Sequence, residues 1–333
     1  MTTGDGSGAN AAPEVVTLGE CLVALVANSL GPLAEASTFE RHVAGAEANV
    51  AVGLARLEHR SAFIGRVGAD GFGAAIRRRL RGEGVATDHL TVDPAAPTGI
   101  LIRERRAVGP AEVTYYRSGS AGARLDAADV DAAADLFPTA RWLHLTGITP
   151  ALSPSARGAV DRALDLARSF SSRVSLDLNL RRKLWPEQEA AAVLAKLAAK
   201  VDVVLGSVDE VALVTGSSQS SKPSQLAERL LALGPSVAVL KMGAGGALGL
   251  ARGDAAVHES AIVATVIDPI GAGDAFVAGF IARTLEGGSL SEALRVGNAC
   301  GAAAVSVIGD QAGLPDRREL ELLLGRAGED AIR

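Results

Sequence analysis

Apolar positions along the chain recur with two periods, one typical of strands and one typical of helices. From residue 127 onward the order is regular: a predicted helix at 129–136 precedes a strand at 142–146, and a helix at 156–169 precedes a strand at 174–180. Repeated alternation with short connections predicts a mainly parallel sheet with helices on both faces, a three-layer α/β/α fold. Further strands are predicted at 15–18, 62–67, 201–205 and 237–241, followed by a β meander to 267, and further helices at 47–57, 72–81, 187–199, 208–214, 224–233, 274–285 and 290–307.

Two stretches, residues 21–44 and 97–118, depart from this alternation because their strand-like runs have no helix between them. Two β insertions from one α/β core can pair with each other, so we expect a small second sheet that covers a site as a lid. Residues 1–13 are polar and lack an apolar run, which predicts a flexible tail before a single domain at 14–333.

Composition narrows the class of protein further. Of the 333 residues, 48% are hydrophobic, which excludes a disordered chain, and the length fits one large α/β domain with a small appendage. The 33 Lys and Arg against 38 Asp and Glu give a net charge of −5. The sequence has no basic stretch interleaved with aromatic residues, which argues against a nucleic-acid-binding protein.

No apolar run reaches the length of a membrane span, and the first residues do not resemble a signal peptide, so we expect a cytoplasmic protein without membrane contact. Cys21 and Cys300 lie in apolar runs typical of buried thiols, and no Cys or His cluster suggests a metal site.

The strongest chemical signal is the glycine-rich segment from Asp268 to Phe276, which follows an apolar run and precedes an apolar helix. Gly271, Ala272 and Gly273 leave backbone amides unobstructed at a helix N-terminus, which favours an anion. Asp274 supplies a carboxylate beside them, so the segment fits phosphoryl transfer to a hydroxyl group, with Asp274 taking the proton. The alternative is that Asp274 is only an N-cap and the glycines only a turn. The segment matches neither the GxGxxG dinucleotide fingerprint nor the GxxxxGK[ST] P-loop.

Two further clusters point to an anionic substrate. In the predicted strand 174–180, Asp177 and Asn179 share one face and lead into Arg181, whereas Tyr115 and Arg117 lie in the second β insertion. Arginine offers a two-pronged donor for a carboxylate. The alternatives are a solvated basic loop and an ordinary strand with aromatic packing.

The segment Asp268–Phe276 resembles the DTxGAGDxF signature of the PfkB (ribokinase-like) carbohydrate kinases. Gly45-Ala46-Glu47-Ala48-Asn49 resembles the GGxxxN substrate segment of that family, with Ala44 in place of the first glycine, and residues 65–73 resemble its GxxGxDxxG block. The resemblance extends along nearly the whole chain. It implies a ribokinase-like core, ATP and Mg²⁺ as cofactors, Asp274 as general base, an anion hole at Gly271, Ala272 and Gly273, and a β-lid that also holds a homo-oligomer together.

Within that family, the Tyr-Tyr-Arg segment at 115–117 and the DxNxR pattern at 177–181 resemble the 2-keto-3-deoxygluconate kinases. The implied reaction is ATP-dependent phosphorylation of this sugar acid to its 6-phosphate. Alternatives are a kinase for a neutral sugar (fructose, ribose or a deoxy-ketogluconate relative) and a non-catalytic sugar- or nucleotide-sensing module. The implied substrate-binding residues are Gly45, Asn49, Tyr115, Arg117, Arg181 and Asp310.

The resemblance also implies a set of nucleotide contacts. Ser207 replaces the Asn of the NxxE motif, whose Glu, here Glu210, organises the metal–phosphate shell through water, so no direct protein ligand to Mg²⁺ is expected. The implied ATP-binding residues are Asn179, Ser207, Glu210, Lys241, Gly243, Gly246 and Asn298.

Overall fold

A nine-stranded sheet forms the centre of the protein in the computed structural model, which describes residues 12–106 and 112–325. Most of the predicted tail, residues 1–11, lies outside the described residues. Neighbouring strands are parallel except at one edge, where the last two strands are antiparallel. In spatial order the strands are β13 (Val257–Glu259), β12 (Ala247–Ala251), β11 (Val237–Lys241), β10 (Val203–Ser207), β9 (Arg173–Asp177), β8 (Trp142–Thr146), β1 (Val15–Leu18), β4 (Ser61–Gly68) and β5 (Leu90–Asp93).

Helices cover both faces of this sheet, as the alternation predicts. Alternate strand residues enter two separate apolar clusters: Val203 and Leu205 pack on one face, and Val204 packs on the other. The helices are α1 (Ala46–Arg56), α2 (Gly71–Gly82), α3 (Ala127–Ala132), α4 (Thr149–Leu152), α5 (Pro154–Ser169), α6 (Glu187–Ala198), α7 (Val208–Val214), α8 (Pro223–Ala232), α9 (Ala272–Leu285), α10 (Leu290–Ala304) and α11 (Arg317–Leu323).

The two β insertions pair into one four-stranded sheet, as expected from the sequence. Its order is β3 (Phe39–Ala44), β2 (Leu22–Leu30), β6 (Ile100–Arg105) and β7 (Val113–Tyr116). The central pair, β2 and β6, is parallel and the outer pairs are antiparallel. This small sheet joins strands from chain segments that are far apart in sequence.

Local structure differs from the sequence predictions in several places. The predicted strand 174–180 ends at Asp177, because Asn179 adopts a φ of +36°, which is outside the range of an extended strand. The meander ends at Glu259, and residues 260–267 form no strand. The helix predicted at 129–136 divides into α3 and a 3-10 turn at 134–136, and α11 was not predicted.

Candidate active site

A cleft of about 390 Å³ lies between the small sheet and the ends of the parallel strands. Ligands of open α/β sheets bind beyond the carboxyl ends of the strands, and the polar residues predicted there meet in this cleft. Its lining contains these predicted site residues: Gly45, Asn49, Tyr115, Arg117, Asn179, Arg181, Ser207, Glu210, Lys241, Gly271, Gly273, Asp274 and Asp310.

The glycine-rich turn forms the N-terminus of helix α9. Gly271 is the N-cap residue, with a φ of +79°, and a Cβ at this position would lie 2.6 Å from the carbonyl oxygen of Asp310. A side chain is therefore excluded there by both backbone conformation and space. Because no side chain caps this 14-residue helix, its first amides face the cleft with the positive end of the helix dipole.

Asp274 lies in the first turn of α9 with only 8% of its surface exposed. Its carboxylate accepts hydrogen bonds from Asn49 Nδ2 (2.8 Å) and Asn179 Nδ2 (3.4 Å). Burial raises the pKa of Asp274 to about 6, although the Asn49 hydrogen bond and the charges of Arg181 and Lys241 oppose the rise. The group is thus ionised at neutral pH and can accept a proton. The alternative that Asp274 is merely an N-cap is wrong, since Gly271 holds that position.

Asn49 and Asp310 line the same side of the cleft as Asp274. Asn49 is buried on α1, and its Oδ1 accepts a hydrogen bond from Gln311 Nε2 (3.2 Å). Burial raises the pKa of Asp310 to about 6, with Arg103 opposing the rise. Gly45, with a φ of +144°, brings the backbone so close to Glu20 that a Cβ would lie 2.4 Å from the Glu20 carbonyl oxygen. These groups surround the position where a hydroxyl could approach Asp274.

Arg117 and Arg181 have different surroundings. Arg117 is buried beside Tyr115 and donates from Nε to Glu20 Oε2 at 2.7 Å, while the Ser120 hydroxyl donates to the other Glu20 oxygen at 2.5 Å. Its charge is therefore already balanced by a carboxylate that the sequence analysis did not single out. Arg181 is exposed at the rim of the cleft.

A second, largely apolar cleft of about 560 Å³ adjoins the first, and Lys241, Pro269 and Gly273 line both. Besides Lys241 and Gly273, its lining includes four more residues predicted to bind nucleotide or phosphate: Gly243, Gly246, Ala272 and Asn298. Phe276 and Val263 contribute apolar surface. The apolar part has the character that a purine base requires, and the shared part carries the cation and the amides that a phosphate chain requires.

Lys241 ends strand β11 at the junction of the two clefts. Its Nζ donates to Asp177 Oδ2 at 2.6 Å and would lie 3.3 Å from a Cβ on Gly273. Burial lowers the pKa of Lys241, but the carboxylates of Asp177 and Glu210 outweigh this effect and raise it. The ammonium group therefore stays charged beside the amides of α9.

The other residues predicted to bind ATP have contacts of their own. Ser207 is the N-cap of α7, and Glu210 accepts from the Ser207 and Leu180 amides, each at 2.7 Å. Asn298 Nδ2 donates to two carbonyl oxygens of the 259–260 segment, at 3.0 and 3.1 Å. Asn179 lines the first cleft, beside Asp274, rather than the second.

Glu47 is a buried acidic group that the sequence analysis did not assign to the site. It lines the first cleft and accepts hydrogen bonds from the hydroxyls of Thr146 (2.7 Å) and Thr149 (2.5 Å). Burial raises the pKa of Glu47 to about 7, although these hydrogen bonds oppose the rise. The signal in the sequence is an acidic residue inside an otherwise apolar helical segment.

Within residues 12–106 and 112–325, no group of three His, Cys, Asp or Glu side chains is arranged to hold a metal ion. The helices in the same ranges are all too short or too polar to cross a bilayer.

The fold and the site together define the class of protein. The model of the pfkB family of carbohydrate kinases matches residues 12–317, and the chain belongs to that family. It is a sugar kinase, as the glycine-rich turn and the buried carboxylate indicate.

Individual relatives resemble nearly the whole chain. The 2-dehydro-3-deoxygluconokinase of Thermoproteus tenax is 40% identical over 320 residues, which cover 95% of each chain. The enzyme of the same name from Bacillus subtilis (strain 168) is 36% identical over 313 residues, covering 93% of this chain and 95% of its own. Among solved structures, the PfkB protein from Polaromonas sp. JS666 has a TM-score of 0.83 at 34% identity, covering 93% of this chain and 99% of its own. A putative ribokinase II from E. coli, solved in complex with ATP and Mg²⁺, has a TM-score of 0.86 at 27% identity, covering 95% and 100%.

Proposed function

We propose that this protein transfers the γ-phosphoryl group of ATP to the 6-hydroxyl of 2-keto-3-deoxygluconate, also called 2-dehydro-3-deoxygluconate. The observation that carries the proposal is the position of Asp274, between the amides of α9 and a cleft with Arg181 at its rim. A sugar acid has a carboxylate for that guanidinium at one end and a primary hydroxyl for Asp274 at the other. The names of the two relatives from T. tenax and B. subtilis support the same substrate.

In the proposed reaction, the hydroxyl oxygen attacks the γ-phosphorus as its proton passes to the Asp274 carboxylate. The bond between the γ-phosphorus and the bridging oxygen breaks, and ADP leaves with that electron pair. Negative charge on the transferring group is stabilised by the amides of Gly271, Ala272 and Gly273 and by the Lys241 ammonium group. Magnesium bound to the phosphates of ATP supplies further positive charge, and Glu210 is the carboxylate proposed to reach it through water.

For the acceptor, we assign recognition of the carboxylate to Arg181 and recognition of the hydroxyl groups to Asn49, Asp310 and the Gly45 segment. Arg117 and Tyr115 also contact the acceptor in this proposal, and the Glu20 carboxylate fixes the orientation of Arg117. For the nucleotide, the apolar second cleft supports a base site near Asn298, and the loop with Gly243 and Gly246 supports a phosphate site. Asn179 and Ser207 line the first cleft, and we assign them contacts with the terminal phosphate of ATP. The use of ATP supports action in the cytoplasm, where ATP is supplied.

We also infer that residues 14–333 act as one kinase domain, with the small sheet as a lid that excludes water during transfer. Its exposed large apolar residues, Leu30, Phe39 and Tyr116, support contact with the small sheet of a second copy. Sedimentation velocity tests this contact: the wild type should sediment as an oligomer, and charged residues at these three positions should give a monomer. A monomeric wild type at micromolar concentration would refute the contact.

The proposed activity is tested by measuring ADP release with 2-keto-3-deoxygluconate, its 5-keto-2-deoxy isomer, gluconate, fructose and ribose. We expect kcat/KM for 2-keto-3-deoxygluconate to exceed that for fructose and ribose by about tenfold or more, because these neutral sugars have no carboxylate to pair with Arg181. Phosphorus NMR of the product should show a phosphate ester on C6. Preference for fructose or ribose would instead support a neutral-sugar kinase, and tight binding of ATP and sugar without ADP release would support a sensing module.

A further inference from the structure

A buried ion pair links the small sheet to the glycine-rich turn. Arg103 of β6 donates from Nη1 to Asp268 Oδ1 at 2.7 Å and from Nη2 to Asp268 Oδ2 at 2.5 Å. The two residues are only 7% and 5% exposed. They are 165 positions apart in sequence, so neither the repeated alternation nor any local motif indicates the contact. Arg103 also lines the cleft that contains Asp274.

Asp268 organises both loops that form this side of the site. Besides the guanidinium, its carboxylate accepts the amide of Ile270 at 3.2 Å and the amide of Gly309 at 3.1 Å. The first amide belongs to the turn that leads into Gly271, and the second directly precedes Asp310. The two loops also touch each other, because the Asp310 carbonyl lies against Gly271. The position of the Asp268 side chain therefore determines where the anion-binding amides and Asp310 lie.

The guanidinium, in turn, is held by the small sheet. Arg103 pairs with Val26 of β2 on one side and with Val113 of β7 on the other, so it lies on an interior strand. A second contact joins the same partners: a Cβ on Gly309 would lie 2.5 Å from the ring of His42 on β3. Movement of the small sheet relative to the core would consequently pull on Asp268, since separating a buried and paired charge is strongly unfavourable.

We propose that Arg103 is a positioning residue for phosphoryl transfer: through Asp268 it holds the amides of α9 in place only while the small sheet is seated on the core. The pair thereby makes the chemical step depend on the position of the small sheet. This inference rests on the proposed kinase function but not on the identity of the acceptor.

The test compares Arg103→Met and Arg103→Lys with Arg105→Met, a control on the same strand whose guanidinium donates to the Asn28 carbonyl oxygen rather than to Asp268. We expect Arg103→Met to lower kcat by about tenfold or more. The KM for the acceptor should rise as well, because Asp268 also holds the Gly309 amide beside Asp310. Arg103→Lys, which keeps the charge, should recover part of kcat. The double variant Arg103→Met/Asp268→Asn should be no slower than the slower single variant, because the two residues act as one unit.

A second readout needs no acceptor. Hydrogen exchange at the amides of Ile270 and Gly309 should become faster in Arg103→Met and stay unchanged in Arg105→Met. Unchanged kcat and exchange in Arg103→Met would overturn the proposal, and so would a uniform rise in exchange throughout the chain, which indicates general loss of stability. A wild type that phosphorylates another sugar would refute the proposed substrate and leave this inference intact.

Discussion

Replacing Asp274 by asparagine should have opposite effects on activity and on stability. Without a carboxylate to accept the hydroxyl proton, kcat should fall by about 10² to 10⁴-fold. Burial raises the pKa of Asp274 from 3.8 to about 6, which corresponds to about 3 kcal/mol of destabilisation of the folded protein when the group is ionised. Asparagine removes that cost and can still accept the hydrogen bond from Asn49. For 333 residues, this free energy corresponds to a Tm about 4 °C higher.

The stability difference between Asp274→Asn and the wild type should depend on pH. The folded protein binds the Asp274 proton more tightly than the unfolded chain, so this contribution to stability is fully present below pH 3.8 and is lost as the pH rises through about 6. The Tm difference between variant and wild type should therefore be small near pH 4 and complete above pH 6. Wild-type kcat should rise over the same range as the base ionises.

Steady-state ADP release and scanning calorimetry at pH 4, 5, 6 and 8 measure both effects. Asp161→Asn is the matched control, because Asp161 is a half-exposed carboxylate that pairs with Lys200 on the surface. Turnover within tenfold of the wild type would refute the role of Asp274 as base. A lower Tm at pH 8 would refute the argument that its ionised form destabilises the fold.

Two further predictions concern neighbouring residues. Arg181→Ala should raise the KM for the sugar acid by about tenfold or more with little change in the KM for ATP. Arg182→Ala, which removes a surface pair with Glu187, is the control and should change neither KM. Equal effects of the two variants would refute the binding of the substrate carboxylate by Arg181. Gly271→Ala should lower kcat by about tenfold or more. The added methyl group would lie 2.6 Å from the Asp310 carbonyl oxygen and would displace the anion-binding amides. An unchanged kcat would show that these amides do not stabilise the transferring group.

The alternation of apolar periods determined the architecture of this protein. Short apolar strands followed by amphipathic helices bury their apolar faces in a layered α/β arrangement, and the two stretches without helices were able to pair with each other. The sequence also indicated two groups of site residues: the polar residues that follow the strands and the small residues at the start of α9. They were predictable because their function depends on local backbone geometry. Local failures occurred at Asn179, whose φ of +36° is not that of a strand, and at residues 260–267, which form no strand and are largely exposed.

Only the tertiary structure decided which charged groups face each other. Arg117 is paired with Glu20, Lys241 with Asp177 and Arg103 with Asp268, across 97, 64 and 165 positions of sequence. Asn49 reaches Asp274 across 225 positions. A side chain's chemical type is fixed by its own residue. Its charge balance and pKa depend on which distant segments the packed core brings within a few ångströms, and no local pattern carries that information.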